Sequence, residues 1–152
     1  MTNTNKLYKT LFSAIVAFGL LTNTAFAFIH GSTAEDHAKI VVQMSSNDAR
    51  AQGRTIKRVG WIMDAFKDKA TLEVVAFGPA FNMLAKDGKF AKKVSKLMKR
   101  GVVFTADASI QKMMKKHKVP TDLVAGVKHV KVGPAHIVKL QMQGYKYLAL
   151  FF

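Results

Sequence analysis

The chain has 152 residues, no cysteine, and 24 lysines and arginines against nine acids, a formal charge of +15. The missing cysteine excludes every thiol mechanism, thiolate metal site and iron–sulfur cluster built from this polypeptide. The positive field favours anionic partners.

Residues 1–27 read as a cleavable signal peptide. Lys6 and Lys9 form a short basic region, Leu11–Leu21 an apolar one, and Ala25-Phe26-Ala27 places small residues where a signal peptidase reads them. The apolar run falls short of the roughly 20 residues of a membrane span. Cleavage after Ala27 and export to the periplasm are therefore expected over retention as an uncleaved anchor. Two basic residues and none of the acids lie in the leader, so the remainder carries +13. Export removes nucleic acid from the expected partners and leaves acidic proteins, small anions and anionic membrane surfaces. Residues 28–37 read as a flexible arm and 38–152 as one domain, long enough to bury a core without disulfides.

Within that domain "KIVVQMS" (39–45) is a β-branched apolar run and predicts a buried strand. Ser46 or Asn47 is expected to cap the helix that follows. Ile56, Val59, Ile62, Met63 and Phe66 form its apolar stripe at three- and four-residue spacing, and Lys67-Asp68-Lys69 closes it. "TLEVVAFG" (71–78) predicts a second strand, stopped at Gly78-Pro79. Helical pieces are expected around 80–86 and 89–100, with Gly101 as a C-terminal cap. "VVFTA" (102–106) predicts the third strand, followed by a helix from Ser109 to about His117. Pro120 breaks the chain. "VKHVKV" (127–132) alternates as a half-exposed strand, Gly133-Pro134 opens a helix that Gly144 ends, and "YKYLALFF" (145–152) is the last strand.

Strands alternating with helices predict an α/β domain with a mainly parallel five-stranded sheet and helices on both faces. Ligands of such sheets bind at the carboxyl ends of the strands, where the strand order reverses. Four segments leave those ends and are expected to converge on one rim: Ser45, Ser46 and Asn47; Gly78 and Pro79; Asp107; and Gly133, Pro134 and His136.

The runs "FGPAF", "GVVFTADASI" and "HVKVGPAHIVKLQMQGYKYL" resemble the DsrE/DsrF-like sulfur-relay family, from Lys39 to Leu150. The resemblance implies a flavodoxin-like three-layer α/β/α domain, DsrE-like, that assembles as a homo-oligomer. Active members of the family hold sulfur as a persulfide on one cysteine. By register that cysteine corresponds to Asp107, and a carboxylate cannot replace a polarisable thiolate. The resemblance carries the fold and not the sulfur chemistry, so enzyme activity of that kind is not expected.

Asp107 therefore has two readings: a site carboxylate that binds a cation or acts as a base, or the N-cap of the helix behind it. His136, expected on the same rim, could join it in a metal-binding or hydrolase-type centre. His117 and His129 lack metal-type spacing and read as surface or packing residues. A mature chain beginning Phe28-Ile29-His30 would offer Cu(II) or Ni(II) a square plane of nitrogens ending on His30. No other cofactor is expected. The methionines among apolar neighbours read as core filler. Lys89, Lys92, Lys93, Lys96, Lys99 and Arg100 line one face of a helix, and Lys112, Lys115 and Lys116 repeat the theme on the next. They read as a surface for an anionic partner, or as a peripheral contact with anionic membrane. No aromatic is interleaved with them in sequence, which argues against a base-stacking groove.

Overall fold

The computed structural model describes residues 37–150. The leader and most of the arm, with the His30 metal reading, lie outside the described residues. The elements run β1 (Lys39–Met44), α1 (Ala49–Ala65), β2 (Thr71–Ala76), a 3-10 turn (Gly78–Ala80), α2 (Phe81–Leu84), α3 (Ala91–Lys99), β3 (Val103–Asp107), α4 (Ala108–Lys116), β4 (Lys128–Val130), α5 (Gly133–Met142) and β5 (Lys146–Leu148). The strands form one sheet in the order β4-β3-β2-β1-β5, and every pairing is parallel.

That order explains how the helices are distributed. From β1 to β4 the chain steps across the sheet in one direction, and right-handed crossovers then place every connecting helix on one face. From β4 it returns the whole width of the sheet to lie beside β1, so α5 must cross on the other face. The packing follows. Alternate strand residues such as Val42, Val74 and Phe104 join α1 to α4 in the main core. Val41 and Val75, pointing the opposite way, meet only Ile137, Leu140, Phe77 and Tyr145 in a small second core. Helices do flank both faces, but one face carries a single helix.

Local chemistry sets the element ends. Asp48, rather than Ser46 or Asn47, caps α1: its Oδ1 accepts from the Ala51 N–H at 2.6 Å. Ser46 instead accepts from the Asp48 N–H. Gly101 ends α3 at φ +93°, a left-handed turn that lets the Val102 N–H reach the Leu97 carbonyl. The outer strands are shorter than the alternation suggested, three residues each, because each edge strand has one neighbour to pair with. Phe66 lies beyond the buried stripe of α1 and is exposed. Met63, Met83 and Met114 are fully buried.

Gly133 opens α5 where the chain passes closest to β2's exit. A Cβ at this position would stand 2.9 Å from Phe77 Cδ1 and 3.1 Å from its Cβ, distances that force a shift. Gly133→Ala is expected to lower stability by about 1–3 kcal/mol, read as a fall in Tm. An unchanged Tm would show that Phe77 yields freely.

Candidate functional site

Neighbouring strands whose chains leave toward opposite faces open a crevice between their carboxyl ends. Here those strands are β3, which exits into α4, and β4, which exits into α5. Asp107, the last residue of β3, sits at that point and is 8% exposed. The most favourable position for a ligand is therefore held by a carboxylate.

That carboxylate is fully engaged. Oδ1 accepts from the Ser109 N–H at 2.9 Å, capping α4, and from the Ser109 hydroxyl. Ser109 Oγ in turn accepts from the Gly78 N–H at 2.6 Å. Oδ2 accepts from the Gly133 N–H at 3.2 Å. One side chain thus joins the loops after β2, β3 and β4. Of the predicted rim, the structure brings together Gly78, Asp107 and Gly133. Ser45, Ser46 and Asn47 follow β1, one strand further away; Ser45 accepts from Gln43 of β1, and Ser46 accepts from the Asp48 N–H and from Gln52 of α1.

His136 is not paired with Asp107. Its Nε2 lies 2.7 Å from Glu73 Oε1, and Thr105 Oγ1 donates to the same oxygen at 2.6 Å. Glu73 is 5% exposed in the middle of β2, on the sheet face that α5 covers. An ionised Glu73 offers lone pairs alone, so Nε2 carries the proton in that state. Two donors offset the cost of placing a carboxylate on a nearly buried strand. Sequence reasoning missed Glu73, Thr105 and their link to His136. A lone acid inside "TLEVVA" was the signal that a partner must exist. Beside His136, a shallow cleft of about 320 Å³ is lined by Val130, Lys131, Val132, Ala135 and Lys139, which adds Lys131 and Lys139 to the basic residues of the rim.

The other histidines do not extend this set. His117 stacks on Phe81 with ring centroids 5.1 Å apart, and His129 is exposed on β4. Among the described residues, no three His, Asp or Glu side chains are placed to share a metal ion.

The basic surface also differs from its sequence reading. Lys92, Lys93, Lys96 and Lys99 are exposed along α3, and Lys112, Lys115 and Lys116 along α4. Arg100 is not part of the open charge. Its guanidinium binds Asp68 at 2.6 Å and Asp64 at 2.7 Å, contacts that hold it above the ordinary arginine range. Lys89 lies over the ring of Phe90. An aromatic does stand among the lysines, from a different helix: Trp61 of α1 shares a groove with Lys93 and Lys96.

Neither a family model nor a curated protein matches the chain. Solved structures do. A protein of unknown function from Methanobacterium thermoautotrophicum, MTH1491, superposes with a TM-score of 0.60 at 26% identity, over 74% of this chain and 98% of that one. The ychN protein of E. coli gives 0.60 at 12% identity over 74% and 98%. BT1422 from Bacteroides thetaiotaomicron, a conserved protein of unknown function, gives 0.55 at 12% over 78% and 99%. The fold is DsrE-like.

Asp107→Ala leaves the N–H groups of Ser109 and Gly133 without their acceptor and should lower stability by about 2–4 kcal/mol. Asp107→Asn keeps an acceptor oxygen and should lose less. Equal Tm values for wild type and Asp107→Ala would refute the hydrogen-bonded role. A second expectation concerns alkali. Burial, and after it the Glu73 carboxylate, raises the Tyr145 phenol above the usual tyrosine range. A raised value favours the neutral phenol in the folded state, so its contribution is intact below about pH 10 and is lost as pH climbs past it. Tyr145→Phe should therefore flatten the alkaline decline in stability measured by denaturant unfolding. Parallel pH profiles for variant and wild type would contradict this.

Proposed function

We propose that the chain is an exported, non-catalytic relative of the DsrE/DsrF-like sulfur-relay proteins, acting as a binding or accessory subunit for an anionic partner. The observation that carries this reading is the state of Asp107. In the position that the family resemblance assigns to the sulfur-bearing cysteine stands a carboxylate, buried and occupied by donors from two loops. Such a group stabilises loops and has little freedom to act on a substrate. A metal or hydrolase centre on Asp107 and His136 is disfavoured by the same geometry, because His136 is turned to Glu73. The uncompensated lysines of α3 and α4, with the basic cleft beside His136, supply the attraction for an anion.

Homo-oligomer formation fits the asymmetry of the fold. The face covered by α5 alone exposes Val138 and Met142 on that helix and Tyr147 on the edge strand β5. Apolar side chains grouped on one face are what a second copy would cover.

A thermal-shift screen of the mature protein beside Asp107→Asn tests the reading. The panel holds sulfate, sulfite, thiosulfate, phosphate, small carboxylates, Cu(II), Ni(II) and Zn(II). Anions should raise the Tm of both proteins alike, less so at high salt. A compound that stabilises wild type and not Asp107→Asn would overturn it, since Asp107 would then belong to a working site.

A further inference from the structure

Helices α1 and α3 lie side by side with Gly60 facing Leu97; a Cβ on Gly60 would already be 3.9 Å from Leu97 Cδ2. The absent side chain leaves a groove of about 230 Å³ between the helices. Ile56, Gly60 and Leu97 supply its apolar part, while Lys57, Lys93 and Lys96 supply charge. Trp61 stands in this groove 57% exposed, with Lys57 Nζ 4.8 Å from its ring centroid. At one end Arg100 is neutralised by Asp64 and Asp68. Among the described residues, Lys57, Lys93 and Lys96 have no acidic partner.

This arrangement joins two features in one groove. A large, mostly open indole leaves apolar area in water, and three cations stand around it uncompensated. Tryptophan is among the residues that dominate protein contacts when a partner covers it. We infer that the α1–α3 groove is a docking site for an acidic peptide segment of a partner protein. One apolar side chain of that segment would rest against Trp61, and flanking carboxylates would meet Lys57, Lys93 and Lys96. The inference rests on the anionic-partner reading above and assigns it a surface.

Shape and ring count favour a peptide over other anions. A membrane surface is best met by a broad face carrying several apolar side chains, whereas this indole stands alone between two helices. A single strand of nucleic acid asks for successive rings on which successive bases stack, and the groove offers one.

Trp61 is the single tryptophan of the sequence, so its emission reports directly on the groove. The experiment titrates the mature protein with an acetylated, amidated Glu-Glu-Phe-Glu-Glu peptide, excited at a wavelength only tryptophan absorbs. A saturable blue shift is expected, weakened by salt. The double variant Lys93→Glu/Lys96→Glu, checked for folding by circular dichroism and Tm, should bind at least roughly tenfold more weakly. Trp61→Ala, followed by anisotropy of a labelled peptide, should also lose affinity. Lys112→Glu/Lys115→Glu on α4 serves as the comparison. If that pair abolishes binding while the groove variants retain it, the groove assignment falls and the anionic-partner reading stands. If the peptide moves neither emission nor anisotropy at millimolar concentration, the groove proposal is overturned. Should phosphatidylglycerol vesicles or single-stranded DNA then bind, the anionic-partner reading survives with a different partner; should they fail as well, it falls too.

Discussion

The carboxylate of Asp107 is the contact on which the arrangement of the rim depends. Three loops meet where the sheet switches direction, and loops that converge in this way carry backbone N–H groups needing acceptors. Asp107 provides them with one side chain: it caps α4 through Ser109, holds the start of α5 through Gly133, and reaches the turn after β2 through the Ser109 hydroxyl. A cysteine would leave much of this undone, because sulfur is a weak acceptor.

A second constraint is topological. Because the final crossover must return across the sheet, α5 alone guards a face that four helices would otherwise share. A face so thinly covered cannot bury a charged residue without help, yet Glu73 lies there. Thr105 from the neighbouring strand and His136 from α5 satisfy it. The network pins the helix to the sheet as well as satisfying the acid's oxygen. Breaking one partner of such a set costs more than replacing the whole set with apolar side chains.

Much of the fold was legible in the sequence for a simple reason. Strands buried on both faces read as largely apolar runs rich in β-branched residues, and β1, β2 (Glu73 apart) and β3 have that form. The turn signals at Gly78-Pro79, Gly101 and Gly133-Pro134 placed the boundaries between them. The edge strands were harder, since their short pairing with a single neighbour leaves no pattern that separates them from loops. The site was legible by position and only in part by partner. Asp107 and its cap of the helix behind it could be read locally, but the Gly133 donor lies 26 residues from Asp107 and the Gly78 N–H 31 residues from Ser109. His136 was noticed and wrongly matched, because its true partner, Glu73, is 63 residues earlier. Arg100 looked like one more surface cation because Asp64 and Asp68 belong to a different helix end. Trp61 escaped the lysine pattern for the same reason: the groove forms only when α1 and α3 pack.

The central claim is that Asp107 is a structural junction and not a reactive group. Amide hydrogen exchange of the folded protein measures that directly, residue by residue. The Ser109 and Gly133 amides should be protected in wild type and exchange much faster in Asp107→Ala, with the β1 and β2 amides little changed. Equal exchange of Ser109 and Gly133 in the two proteins would contradict the account and return Asp107 to the position of a free carboxylate at an open crevice.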